Sequence, residues 1–155
     1  METEKPMKIF CKMNMSLNAA VRGDKVMLVT ADSSDKSQHW IQDYSATGNL
    51  TDDDGRRAFA LVNRTTGQAM VNINGEGPVQ LAPYSGHVAV ELNKLWSLGE
   101  ERDDGFSNVR SLQNTFFTLN AMGGYPVKSG ALLGTYRPQE YDHTYWKIVS
   151  VNDED

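Results

Sequence analysis

The sequence predicts an all-β fold built from three repeated units of four short strands, and three observations predict it. First, apolar strand starts recur fifty residues apart, at Ile9-Phe10-Cys11, at Phe59-Ala60-Leu61-Val62 and from Val109 onward. Second, each unit ends on a tryptophan, at Trp40, Trp96 and Trp146. Third, helical periodicity is scarce, whereas thirteen glycines and many Asn and Asp separate short apolar runs. That punctuation belongs to a chain of strands and turns.

The elements follow in order. The turns before the second and third strand starts are near copies, Asp53-Asp54-Gly55 and Asp103-Asp104-Gly105. Between start and tryptophan each unit carries an apolar residue, any residue and then leucine: Val26-Met27-Leu28, Val79-Gln80-Leu81 and Ala131-Leu132-Leu133. Three four-stranded units make twelve strands. A propeller needs four or more blades, and a solenoid shows atypical capping ends. Three-fold closure into a barrel capped by hairpins, the β-trefoil, satisfies the count and leaves no open sheet edge. Val26, Leu28, Val79 and Leu81 are expected to face one interior, with the three tryptophans in the core. One domain is expected over 7–151, with repeats at about 8–52, 57–102 and 106–150 and short tails at 1–6 and 152–155.

A chain of 155 residues suits a single hydrophobic core. The net charge of −5 repels phosphate backbones and anionic lipid, so neither nucleic acid nor membrane insertion is expected. Cys11 is the one cysteine, which excludes an intramolecular disulfide. Met1-Glu2-Thr3-Glu4-Lys5-Pro6 lacks the apolar stretch of a secretion signal. These features predict a reducing, intracellular setting, in which the sequons at Asn14, Asn49 and Asn63 read as chance matches.

Gln38-His39-Trp40 matches the Gln-any-Trp signature of ricin-B-type lectins. A longer ordered series is more specific: Lys8-Ile9-Phe10-Cys11-Lys12, Phe59-Ala60-Leu61-Val62-Asn63, Thr66-Gly67-Gln68-Ala69, Pro78-Val79-Gln80-Leu81 with Pro83-Tyr84, Leu95-Trp96, Asp104-Gly105-Phe106 and Trp146-Lys147-Ile148-Val149. From about Lys8 to Val149 the chain resembles the Euonymus-lectin family, plant trefoil lectins of cytoplasm and nucleus. The resemblance implies a non-catalytic carbohydrate-binding domain with ties to stress responses. It implies glycans or glycoproteins as partners and no cofactor, and leaves homodimerisation open. The third unit departs from the family pattern. It reads Phe117-Thr118-Leu119-Asn120-Ala121-Met122-Gly123-Gly124, then Tyr136-Arg137-Pro138 and Asp142-His143-Thr144-Tyr145-Trp146.

A sugar presents a patch of C–H groups, which suits an aromatic face, and a rim of hydroxyls, which suits Asn, Asp or Gln. Asn120 stands at the family's aspartate position, with Tyr136 as platform and Asp142 or His143 as further polar groups. In the second unit Asn72, Tyr84 and Asn93 hold comparable places. Counting three residues beyond Leu133 and Leu81 reaches Tyr136 and Tyr84, but beyond Leu28 reaches Ala31, so the first unit is expected to be structural. Taken singly, Asn72 and Asn120 also suit turn closure, and Tyr136 suits half-buried packing.

Other residues point less to chemistry. His39, His87 and His143 lack metal-ligand spacing, and His39 is expected at the surface. Asp52-Asp53-Asp54-Gly55 lacks the spacing and closing glutamate of a calcium loop and reads as a solvated turn. Cys11 reads as a buried, inert thiol. Met122-Gly123-Gly124 lacks the lysine of a phosphate loop. A protein-binding trefoil that has lost its sugar site is the alternative, and no nucleophile or acid–base pair supports an enzyme.

Overall fold

The structure is a computed structural model and describes residues 5–73, 75–86, 90–123 and 126–151. His87 and Gly124 lie outside the described residues. The strand segments are β1 (Met7–Cys11), β2 (Leu17–Arg22), β3 (Lys25–Thr30), β4 (Trp40–Asp43), β5 (Ala60–Asn63), β6 (Gln68–Val71), β7 (Gly77–Pro78), β8 (Gln80–Pro83), β9 (Trp96–Leu98), β10 (Val109–Ser111), β11 (Thr118–Ala121), β12 (Leu133–Tyr136) and β13 (Trp146–Ser150). Only Val79 separates β7 from β8, so each unit has its four strands. Single 3-10 turns at Lys36–Gln38, Leu92–Lys94 and Asp142–Thr144 precede the three tryptophans.

Six strands close a barrel. β13 pairs with β1, β1 meets β4 at Met7 and Trp40, and β4 pairs with β5. A bridge between Phe59 and Trp96 carries the ring to β9, which pairs with β10. A bridge between Ser107 and Trp146 returns it to β13. The hairpins β2–β3, β6–β8 and β11–β12 cap this ring. The first turns tightly because Gly23, at φ 65°, leads a two-residue connection between Arg22 and Lys25. Among the described residues this is the β-trefoil that the repeats predict.

The tryptophans are the common core element. Each is fully buried, and each indole N–H donates to a strand carbonyl: Trp40 to Ala19 at 3.0 Å, Trp96 to Met70 at 3.2 Å and Trp146 to Leu119 at 2.9 Å. A buried indole needs such an acceptor. These bonds make Ala19, Met70 and Leu119 equivalent, and so set the register of the three hairpins.

The pairing also corrects the fifty-residue spacing. Trp146 pairs with Cys11, Trp40 with Asn63 and Trp96 with Ser111. Two residues earlier stand the true equivalents Ile9, Leu61 and Val109, all fully buried. The second unit is therefore displaced by two residues from the count that began at Phe59. A two-residue slip keeps side chains on the same face of a strand, so Phe59 is buried as well.

Two further expectations change. His39 is 8% exposed, with Nε2 3.1 Å from the Ser33 carbonyl, so it is a packed residue and not a surface one. A carbonyl only accepts, which places the proton on that nitrogen. Asp53 and Asp54 are solvated as expected, but Asp52 is buried. Its carboxylate accepts from the Ser97 hydroxyl at 2.6 Å and from Arg110 at 2.7 Å. The first link between units is thereby tied to β9 and β10.

Cys11 is fully buried, as expected. Burial pushes its thiol above the ordinary value against three lowering backbone hydrogen bonds, so the reactive thiolate is scarce at neutral pH. A colourless-to-yellow thiol reagent should leave the native protein unlabelled and label one thiol per chain in denaturant. Rapid native labelling would show that β1 opens.

Candidate functional site

The third hairpin builds the site. Along β11, Leu119 and Ala121 face the core, fully and almost fully buried, so Thr118 and Asn120 face the other way. β12 lies antiparallel, with Gly134 opposite Asn120 and Tyr136 opposite Thr118. Thr118, Asn120 and Tyr136 thus share one face, and Gly134 adds no side chain to it. A Cβ at Gly134 would collide with the Met122 thioether and with the Gly77 carbonyl, so glycine is required there. β11 packs beside the turn Asp142–Thr144, which brings Asp142 and His143 to the same region.

Two polar side chains on this face lack partners. Asn120 is only 5% exposed and its side chain has no hydrogen bond among the described residues, but its amide atoms still touch solvent. Thr118 Oγ1 is buried without a partner. The first unit shows why. Asn18, equivalent to Thr118, donates to Gln38 at 3.0 Å. The third unit has Thr144 where the first has Gln38. Its hydroxyl is directed instead to the carbonyls of Gln139 at 3.0 Å and Tyr141 at 2.8 Å. The Thr118 hydroxyl, enclosed without a partner, carries that desolvation cost.

Tyr136 is half-buried, and the Arg137 guanidinium stands 5.3 Å from its ring centroid. Glu76 holds that guanidinium at 2.8 Å. Burial lowers the pKa of His143 below its ordinary value, and the Asp142 charge opposes this incompletely. The imidazole is therefore neutral at pH 7, with one nitrogen to donate and one to accept.

The second-unit residues do not come together in this way. Since Met70 is equivalent to Leu119, the equivalents of Asn120 are Val71 and Ala20, and Asn72 matches Ala121 and Val21. That one-residue offset sends Asn72 to the opposite face. Asn72 is 1% exposed, donates to Ser111 Oγ at 2.8 Å and accepts from Thr135 at 3.2 Å. Its N–H bonds the Asn93 carbonyl, while Asn93 Oδ1 is buried and unpaired among the described residues. Leu81 pairs with Met70 as Thr135 pairs with Leu119, so Tyr136 matches Ala82, and Tyr84 matches Pro138.

Tyr84 has its own structural bond. Its hydroxyl donates to the Asp43 carboxylate at 2.6 Å, tying the second hairpin to β4. Tyr84→Phe should destabilise the fold by about 2 kcal/mol, because hydrogen bonds to charged groups contribute roughly 1.5–3 kcal/mol. Urea titration measures this, and an unchanged midpoint would show the bond to be dispensable.

The sequence reading missed Tyr141. It is 60% exposed, and its ring lies within 8° of parallel to His143 with centroids 5.8 Å apart. Glu140, Tyr141, Asp142 and His143 line an open groove of about 510 Å³ together with Met13 from the loop after β1. An aromatic among charged residues just ahead of the last tryptophan was the available signal.

Three-fold closure around three core tryptophans, with a four-stranded unit repeated three times, defines a β-trefoil. The solved structures agree on the fold. The designed three-fold symmetric protein ThreeFoil matches with a TM-score of 0.71 at 19% identity, covering 94% of this chain and 98% of that one. The Macrolepiota procera ricin B-like lectin, solved in complex with lactose, matches with a TM-score of 0.71 at 15% identity, over 97% and 98% of the two chains. No family model matches the chain. Curated relatives do. Ricin B-like lectin R40G3 of Oryza sativa subsp. japonica is 34% identical over 146 residues, 91% of this chain and 71% of its own length. Ricin B-like lectin R40C1 of the same plant is 35% identical over 151 residues, 94% of this chain and 43% of its own length. Ricin B-like lectin EULS3 of Arabidopsis thaliana is 33% identical over 148 residues, 91% of this chain and 46% of its own length. The chain belongs to the ricin B-like lectin family, and the Euonymus-lectin resemblance is borne out. It spans less than half the length of two of these relatives.

Proposed function

We propose that this chain binds carbohydrate without transforming it, and that the third unit holds the sugar. The observation that carries this reading is the face shared by Asn120 and Tyr136 beside the Asp142–Thr144 turn, where the Asn120 amide is nearly buried, still touches solvent and has no hydrogen bond among the described residues. A sugar hydroxyl supplies the missing partner, and the phenol ring receives the C–H patch. Asn72 and Tyr84 are bonded within the fold, which favours the third unit over the second as the place for the sugar.

The absence of catalysis rests on the relatives' being named lectins. The net charge of −5 supports glycans over nucleic acid as partners. Among the described residues no helix is long and apolar enough to cross a membrane. A nuclear and cytoplasmic plant lectin with a role in stress is the matching cellular setting, and a single trefoil domain over 7–151 is the matching unit.

A glycan array on the purified chain tests the reading, with binding to a defined set of sugars as the expected result. A chain that binds no printed glycan, yet captures a protein partner, would be the protein-binding trefoil instead.

A further inference from the structure

We propose that Tyr141 forms a second sugar subsite, so that the ligand is an oligosaccharide of at least two residues and not a lone monosaccharide. This rests on the carbohydrate-binding reading above and extends it.

Tyr141 is the most exposed large hydrophobic side chain among the described residues, at 60%. It is nevertheless well placed. Its carbonyl accepts from the Thr144 N–H at 2.9 Å and from the Thr144 hydroxyl at 2.8 Å, and Thr144 is fully buried. The His143 ring beside it is nearly parallel. An aromatic platform held before the ligand arrives avoids much of the ordering cost of binding.

The surroundings match a sugar. The groove of about 510 Å³ falls in the usual range for small-molecule sites, roughly 300–1,000 Å³. Tyr141 and Met13 give it an apolar side that suits C–H groups, and Glu140 and Asp142 give it carboxylate acceptors that suit hydroxyls. Asp142 is half-exposed, and its nearest cation, Lys12, is 3.9 Å away and closer to Asp104. The Asp142 oxygens are thus largely free to accept.

Placement accommodates two rings. The turn Asp142–Thr144 packs against both β11, which carries Asn120, and β1, which leads to Met13. The Asn120 strand and the Tyr141 groove, which His143 lines, therefore both adjoin this turn. One sugar ring occupies the Asn120 face, and a glycosidically linked neighbour reaches the Tyr141 groove.

The test is a printed array of monosaccharides and oligosaccharides read with wild type, Tyr141→Ala, Tyr141→Phe and Asn120→Ala. Tyr141→Ala should lose about tenfold on oligosaccharides while keeping its monosaccharide signal, because one aromatic stacking contact and its apolar area disappear. Tyr141→Phe, which keeps the ring, should bind as wild type. Asn120→Ala should weaken every spot. If Tyr141→Ala matches wild type throughout, or weakens all spots equally, the separate subsite is overturned. If Asn120→Ala matches wild type while Tyr141→Ala weakens the oligosaccharides, the subsite stands and the Asn120 assignment falls. If wild type binds nothing, both readings fall together. Tyr141 is exposed, so its removal leaves the core intact, and thermal melts of each variant verify this.

Discussion

Asp52→Ala should destabilise the protein by about 3 kcal/mol, toward the lower end of the roughly 3–5 kcal/mol cost of breaking a buried ion pair. For a chain of this length that lowers the melting temperature by roughly 6–12 °C. The Asp52 side chain is 1% exposed and Arg110 is 18% exposed, so water screens their 2.7 Å contact poorly. One carboxylate oxygen also accepts from the Asp54 and Arg56 N–H groups, and the other from Ser97. Alanine leaves all of these donors short of an acceptor. Arg110 retains Asp54 at 3.0 Å, which keeps the cost from the top of the range.

The pH dependence has a definite sign. Burial alone would raise the Asp52 pKa, but the Ser97, Arg56 and Asp54 hydrogen bonds and the Arg110 charge outweigh it and hold the value below the ordinary 3.8. A lowered carboxylate pKa contributes stability above its unfolded value and loses it as pH falls through the folded one. The gap between wild type and Asp52→Ala should therefore be full at pH 6 and narrow below about pH 4. Calorimetric melts at several pH values measure it. A gap under about 1 kcal/mol at pH 6 would put this pair with ordinary exposed ones. Arg22 and Asp35, 41% and 28% exposed, provide that comparison.

Asn120→Ala and Tyr136→Ala should each weaken glycan binding about tenfold or more, the equivalent of about 1.4 kcal/mol. Lectin sites of this open kind hold a single sugar with roughly 4–8 kcal/mol, millimolar to micromolar in affinity, so one such loss is large. For Asn120 the lost quantity is a hydrogen bond at a desolvated contact. For Tyr136 it is ring stacking plus apolar area at about 25 cal/mol per Å².

Both variants should still fold, and the repeats supply the reason. Ala20 occupies the Asn120 position in the first unit, and Ala82 occupies the Tyr136 position in the second. The trefoil already tolerates alanine at each. Titration calorimetry with a glycan identified on the array decides the matter. Wild-type affinity in both variants would remove the third-unit site.

The sequence by itself determined the fold class. The three tryptophans and the apolar strand pattern define a twelve-stranded closed architecture because burying large apolar side chains is the dominant favourable term, and it is readable as periodicity. Asn120, Tyr136, Asp142 and His143 could be nominated from the sequence, by the family's aspartate position and by a sugar's need for both a ring and polar groups. Only the tertiary structure decided which of these side chains share a strand face. Counting along the chain placed Asn72 beside Asn120 in role, but loops of different length shift the register between units, and one residue reverses the face of a strand. The same limit hid Asp52, whose burial depends on Arg110 and Ser97 from distant strands. It hid Tyr141 too, since exposure of an aromatic depends on what folds over it, and no local pattern records that.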